Sequence, residues 1–372
     1  MTNKLRLSTA IIGSLAGLGL SAAVAQTTVS GNVAMGFIAS STDNANKNGS
    51  WSSMSKETQL NIGTKGKLNN GMNYAAGFSL EYDGPDTGST GMYAEGNYLE
   101  INSGDTTLTI GADRIQNADR HVTNAVGIGY IGQDGLGVGA ATTAAAGLSI
   151  FPRHGSIYQF FGAGVVQKVG NGNLSAYYVP NMTTTILNDI GNDANATTSN
   201  SLSATGKGKG YEIGYLGDLG VKGLTVQAFY TNGDRINPQH AGDKEVSTTN
   251  LGISYNVGAV TVSAAKIVTE GLQAGYSAVT ATPANTELAE ELSGKSIGLA
   301  YAASKDLSFG LTYAKADSSH ATSTETEKTV IASVGYSLGA VGLKASYADV
   351  TDFAGVANND GKMLRVLAFT SF

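Results

Sequence analysis

The chain has 372 residues, with 23 basic against 29 acidic side chains, a formal charge of −6 and an isoelectric point near 5.3; that balance excludes a nucleic-acid partner, which selects a basic face. It has no Cys, which excludes disulfide frameworks, thiolate metal centres, thiol catalysis and a lipid-anchored Cys. Only 14% of residues are charged and mean hydropathy is −0.04, yet after the first residues no apolar run is long enough for a membrane-crossing helix, so the apolar content must be hidden in alternation.

Lys4 and Arg6 precede an apolar run from Leu7 to Leu20, and small residues then lead to Ala23-Val24-Ala25. This order of charged, apolar and cleavable segments reads as a secretory signal over residues 1–25, with cleavage after Ala25 and one domain over 26–372. Without Lys4 and Arg6 the charge is −8, from 21 basic and 29 acidic residues. From Thr28 onward one unit repeats: an alternating strand, a very short turn, a second alternating strand and a long polar loop. The first strand is expected over about Thr28 to Ala39, and a loop rich in Asn, Ser and Thr over Ser40 to Ser55. Thr58, Leu60, Ile62 and Thr64 then share one strand face. After Leu68-Asn69-Asn70-Gly71, the positions Met72, Tyr74, Ala76, Phe78, Leu80 and Tyr82 share a face of the next strand. Six apolar positions at period two behind an Asn-Gly turn predict a hairpin.

The run Lys56-Glu57-Thr58-Gln59-Leu60-Asn61-Ile62-Gly63-Thr64-Lys65-Gly66-Lys67-Leu68-Asn69-Asn70-Gly71-Met72 resembles the first periplasmic hairpin of the general Gram-negative outer-membrane porins. In that family a strand ending Gly-x-Lys-Gly leads into Leu-x-x-Gly and a strand of alternating aromatics. The N-terminal segment, the hairpin rhythm and a chain ending on Phe372 extend the resemblance over the whole sequence. It implies an all-β transmembrane antiparallel barrel, a homotrimer without cofactors, and a loop after the fifth strand that folds inward and narrows the channel. It further implies contact with lipopolysaccharide and other outer-membrane lipids, and recognition of the strand ending in Phe372 by the barrel-assembly machinery.

Further strands are expected over about Tyr93 to Ile101 and Thr106 to Arg114, around Asn102-Ser103-Gly104-Asp105. Ile115 to His154 is the longest stretch without alternation, with a possible short helix over Ala140 to Leu148; a segment that long is expected only where it is functional. It occupies the position of the inward loop in the resembled family. Ser156 to Lys168 and Asn173 to Val179 frame Gly170-Asn171-Gly172, and the pairs Phe160-Phe161 and Tyr177-Tyr178 leave open which face is which. Beyond a loop from Pro180 to Thr205, Tyr211, Ile213 and Tyr215 pair with Leu224, Val226, Ala228 and Tyr230, and Leu251, Ile253 and Tyr255 with Val260, Val262 and Ala264. Ile297, Leu299 and Tyr301 pair with Leu307, Phe309, Leu311 and Tyr313; Val330, Ala332, Val334 and Tyr336 with Val341, Leu343, Ala345 and Tyr347. In the last strand Leu364, Val366, Ala368, Thr370 and Phe372 share a face, opposite the less polar than expected Met363, Arg365, Leu367, Phe369 and Ser371.

The hairpin arms number about sixteen, an even count within the range of single-chain bacterial barrels. Tyr215, Tyr255, Tyr301, Tyr336 and Phe372 sit just before a short turn or the chain end, whereas Tyr230, Tyr313 and Tyr347 sit just before a long loop. Two belts of rings at opposite strand ends are what two membrane interfaces select. A barrel of this size is too wide for side chains to fill, so water occupies it, and small hydrophilic solutes and ions are its expected traffic.

Two groups of residues are expected to line the pore: Asp119, Arg120, His121, Asp134, Arg153 and His154 in the inward loop, and Lys65, Glu81, Asp113 and Lys344 on the polar faces of strands, with Arg114 as a stand-in for a wall base. In the resembled family acidic loop groups face basic wall groups across the narrowest point, and the field between them orients passing solutes. No catalytic constellation is found, because His121, His154, His240 and His320 all fall in expected loops without a nucleophile motif. The acid clusters Asp83/Asp86 and Glu287/Glu290/Glu291 read as solvated loop charge rather than a Ca2+ site. The reading is a general diffusion channel. Two alternatives are a substrate-specific channel seeded by Tyr98, Tyr177 or Phe229 on inward positions, and a structural or adhesive surface protein.

Overall fold

The computed structural model describes residues 26–42, 50–82, 93–111, 161–180, 209–234, 245–273, 289–319, 324–352 and 355–372. The expected signal segment 1–25, the loop 115–154 and Asp83, Asp86 and Glu287 lie outside them. Sixteen strands run in chain order: β1 (Gln26–Thr42), β2 (Ser50–Lys67), β3 (Asn73–Tyr82), β4 (Tyr93–Ser103), β5 (Thr106–Gly111), β6 (Gly162–Val169), β7 (Gly172–Val179) and β8 (Gly210–Gly217), followed by β9 (Leu224–Asp234), β10 (Glu245–Val257), β11 (Val260–Gln273), β12 (Ala289–Ala302), β13 (Leu307–Ser318), β14 (Glu327–Leu338), β15 (Val341–Thr351) and β16 (Gly361–Ser371). Each pairs antiparallel with its sequence neighbours, and β1 pairs with β16, which closes the barrel. No helix among the described residues is long and apolar enough to cross a membrane; this chain crosses with strands.

Alternation decides the two faces. On β10, Leu251, Ile253 and Tyr255 are exposed to the outside while Thr248 and Asn250, on the opposite face of the strand, are fully buried. On β12, Ile297, Leu299 and Tyr301 are exposed and Ser296 is buried. An exposed apolar face around a closed sheet is stable only against hydrocarbon, because in water it would be the largest apolar patch on the molecule. The same rule resolves the ambiguous pair near residue 178: Tyr177 is 4% exposed and faces inward, Tyr178 is 49% exposed and faces out together with Phe161.

Seven connections are short, at 68–72, 104–105, 170–171, 218–223, 258–259, 303–306 and 339–340, and all lie at one rim. Gly170 and Gly258 open two-residue turns at φ 60° and 63°, the left-handed backbone that matches strand twist in tight hairpins. The expected Asn-Gly turn is made by Leu68 to Met72, with Gly71 at φ 86° and Gly71 N–H donating to the Leu68 carbonyl at 2.9 Å. The opposite rim carries all the longer connections, which places it on the extracellular side.

Strand ends differ from expectation at that rim. β1 extends to Thr42 and β2 begins at Ser50 rather than after Ser55, and β6 is described from Gly162, its expected beginning over 156–160 lying outside the described residues. The Asn, Ser and Thr residues there resemble loop composition, yet a ladder that projects beyond the hydrocarbon tolerates polar side chains on both faces.

The seam is built from the chain termini. Register runs from Asn32↔Ser371 to Thr42↔Gly361, and Gly31 and Phe372 exchange backbone bonds of 2.9 and 3.0 Å. The Phe372 ring lies on Gly31, where a Cβ would come within 2.6 Å of both that ring and the Gln59 carbonyl. Gly31→Val is therefore expected to destabilise the closed barrel by about 1–3 kcal/mol, the usual cost of overpacking. The measurement is the temperature at which the folded band shifts on an unheated-to-heated gel series; an unchanged midpoint refutes the role given to this contact.

Candidate functional site

The inward face is polar and internally paired. Asn32 Nδ2 donates to Gln59 Oε1 at 3.1 Å across β1–β2, and Gln227 Nε2 to Asn250 Oδ1 at 3.2 Å across β9–β10. Thr248 and Thr269 join their hydroxyls at 3.1 Å across β10–β11, and Asn102 Nδ2 donates to Thr107 Oγ1 at 2.9 Å across β4–β5. Such rungs satisfy polar atoms that an apolar core would strand.

Burial changes along most strands in the same sense. On β14, Glu327, Thr329 and Ile331 are buried, Ser333 and Gly335 are half-buried, and Ser337 is exposed. On β15 the order from the extracellular rim is Val350, Ala348 and Ser346 buried, then Lys344 half-buried; on β16 Met363 is buried and Arg365, Leu367 and Phe369 are half-buried. On these strands the inward face is therefore most enclosed in its extracellular half and more open toward the short turns.

The described wall charges form sectors. Lys65, Glu81 and Lys344, singled out from sequence, all occupy inward positions, as do Glu57 and Glu100. Glu81 stands opposite Gln59, and Ala75 stands between Lys65 and Glu100 in one register row. On the other side of β1, Lys344 sits diagonally from Arg365, whose partner across the β15–β16 ladder is Ser346. Lys344 Nζ lies 4.9 Å from the Phe369 ring centroid, a cation–π distance. Arg365 was missed from sequence because Met363, Leu367 and Phe369 surround it; its pairing with the lumen residue Ser346 gives it away. Lys168 is a further exposed inward cation on β6. Asp113, Arg114, Asp119, Arg120, His121, Asp134, Arg153 and His154 lie outside the described residues, so the wall alone is defined.

Inward rings lie flat because glycines receive them. The Phe229 ring occupies the space a Cβ of Gly214 would need, Phe369 that of Gly342, and Tyr98 lies 2.9 Å from the Cβ position of Gly77. Tyr177 covers Gly162 and donates its hydroxyl to the Gly111 carbonyl at 2.6 Å. Tyr177 and Phe229 are 4% and 2% exposed, so they are part of the wall and offer no face to the lumen.

Outward rings take the two rims. Tyr255, Tyr301, Tyr336 and Phe372 are exposed at the short-turn rim, with Tyr215 packed against Gly172; Tyr230 and Tyr347 are exposed and Tyr313 half-buried toward the other rim.

A closed ring of strands, apolar without and polar within, is a membrane channel in outline. A family model described as Gram-negative porin matches residues 8–282. The chain belongs to the Gram-negative porin family. No curated protein matches this porin by sequence. Among solved structures it is similar to the outer-membrane OmpT of Vibrio cholerae, at 11% identity and TM-score 0.59, covering 95% of this chain and 99% of that one. A trimer form of the same Vibrio protein gives 12% identity and TM-score 0.57 over 93% and 99%. A triple mutant of the Rhodopseudomonas blastica porin gives 16% identity and TM-score 0.56 over 93% and 100%. At such identities the likeness is one of fold. The protein is a porin-type channel of the outer membrane, crossed many times by the chain.

Replacing Gly342 by Val lifts the Phe369 ring from the wall toward Lys344 and into the bore. Single-channel conductance is expected to fall by some tens of per cent in planar bilayers, and an unaltered conductance would show that the ring does not border the conducting path.

Proposed function

We propose that this porin is a general diffusion channel for small hydrophilic solutes and ions, reached after removal of residues 1–25, and that it works as a homotrimer. The carrying observation is the inward face itself: paired Ser, Thr, Asn and Gln rungs with a few charges, and aromatic rings laid into the wall rather than presented as a track. A binding channel needs exposed rings or convergent donors to hold one solute; a diffusion channel needs water and weak fields. The family and fold are those of a channel, and catalysis forms no part of the proposal. The trimer form of the similar Vibrio protein supports the assembly.

Selectivity in this reading comes from wall sectors and from the segment 115–154, with Asp113, Arg114, Asp119, Arg120, Asp134 and Arg153 at the constriction and Lys65, Glu81 and Lys344 on the wall. The acidic excess of the chain, −8 without Lys4 and Arg6, favours cations weakly. In a salt gradient across a bilayer the wild-type reversal potential is expected to have cationic sign. Lys344→Glu should move it further that way and Glu81→Lys should move it back. A wild-type potential of anionic sign would overturn the preference, while saturation or block by a micromolar sugar or anion would replace general diffusion with a substrate-specific channel. Negligible conductance of folded protein would leave the structural or adhesive reading.

A further inference from the structure

On the inner wall, beside the short turns 303–306 and 339–340, lies a recess of about 530 Å3. Its floor is low because two register rows cross it through glycine. One row runs from Ser308 of β13 through Gly335 of β14 to Lys344 of β15; the next, nearer the periplasmic mouth, runs from Ser337 of β14 through Gly342 of β15 to Phe369 of β16. All six residues line the recess. A glycine inside a strand leaves room where another group can approach the backbone closely, and here each row has one.

The two ends of the hollow carry opposite charge. At one end the Lys344 ammonium is held 4.9 Å from the centroid of the Phe369 ring, and that ring lies in the space a Cβ of Gly342 would need. The long lysine stem is thereby given one position, so less freedom is lost when an anion arrives. Arg365, on the same face of β16, adds to the positive potential on that side. At the other end the turn is fixed against the wall: the Ser304 hydroxyl accepts the backbone N–H groups of Asp306 and Leu307 at 3.1 and 3.0 Å, and the Asp306 carbonyl accepts the Ser337 N–H at 2.8 Å. The Asp306 carboxylate is thus set at the lip, 3.8 Å from Lys305 Nζ. Lys344 and Asp306 are two strand spacings apart, about 10 Å, with Ser337 on the strand between them and Ser308 beside Asp306.

This combination selects a solute. A bare anion is drawn to Lys344 and opposed by Asp306; a neutral sugar can use the hydroxyls and the carboxylate but gains nothing from the ammonium. A solute with an anionic head and a hydroxyl-bearing body suits both ends, because a carboxylate accepts from sugar hydroxyls and an ammonium serves phosphate as a point charge. A phosphate monoester, with a charge of about −1.5 to −2 at neutral pH, gains more there than a carboxylate does. We propose that the recess binds a hexose phosphate, with the phosphate on Lys344 and the sugar hydroxyls on Ser308, Ser337 and Asp306. The inference rests on the diffusion-channel reading and adds to it a weak holding point just inside the periplasmic mouth.

The test is phosphorus NMR line broadening of a hexose monophosphate titrated with the full porin in detergent, with neutral hexose, inorganic phosphate and a hexuronate as competitors at matched ionic strength. Wild type is expected to broaden the line, and each competitor to bind about tenfold more weakly than the hexose phosphate. Lys344→Gln should weaken binding about tenfold, whereas Lys222→Gln, an exposed lysine of the same rim outside the recess, should leave it unchanged. Asp306→Asn should narrow the gap between hexose phosphate and inorganic phosphate, a change that a merely structural role in the turn would not produce. Unchanged binding in Lys344→Gln overturns the proposal, as does equal loss in Lys222→Gln. Equal competition by inorganic phosphate overturns the part given to Asp306 and the hydroxyls, by the hexuronate the assignment to phosphate, and by neutral hexose the part given to Lys344. Should Lys344→Gln fail to fold, the double variant Ser308→Ala/Ser337→Ala carries the test, with loss of preference over inorganic phosphate expected and full retention overturning it. Wild-type conductance separates the two readings: a conducting channel that leaves the line sharp refutes the recess alone, and a folded protein that does not conduct refutes the channel reading instead.

Discussion

The constraint on which this molecule depends is the backbone hydrogen bond in hydrocarbon. An unpaired N–H or C=O there costs several kcal/mol, and no water is present to take its place. Any open sheet edge would carry a whole row of such groups, so sixteen strands must return on themselves. The pairing of β1 with β16 and the Gly31–Phe372 exchange at its foot are therefore obligatory rather than merely stabilising. Register follows from the same demand: a one-residue slip would turn Leu364 and Val366 into the lumen and Arg365 into lipid.

Once closure is fixed, each pleat has one dry and one wet side, and side-chain size decides the shape of the wet one. Glycines opposite rings let Phe229, Phe369, Tyr98 and Tyr177 lie along the wall, so aromatic mass strengthens the sheet without closing the bore. On most strands the inward face is then more enclosed in its extracellular half than in its periplasmic half. Among the described residues, Glu57, Glu81 and Glu100 fall with Lys65 on β2–β4 and Lys344 with Arg365 on β15–β16, while Lys168, Glu212 and Glu327 stand on the inward faces of β6, β8 and β14.

Much of this was legible in the sequence because period-two alternation is a local signal. The strand count, the short-turn rim, the outward series of β10 to β16 and the inward positions of Lys65, Glu81 and Lys344 all follow from it. What was not legible depended on neighbours in other strands. Ser50 to Ser55 read as loop because polar composition is the same in a loop and in a ladder above the membrane. Tyr177 and Tyr178 could not be assigned until Gly164 was seen opposite Tyr177. Arg365 was concealed by its apolar neighbours, and only the register that sets it opposite Ser346 places it on the lumen side.

The unequal rims have a further consequence. Connections of a few residues can be drawn through a bilayer at modest cost, whereas the long polar ones opposite them cannot, so a barrel seated once is kinetically locked with the same mouth up for its lifetime. Because the bulky segments hang from one mouth only, that mouth can accept insertions and deletions while the ladder beneath keeps its pairing. The compartment-facing chemistry of the outer end is thereby free to diverge, and the inner end, made of bends of two to six residues, is constrained by geometry.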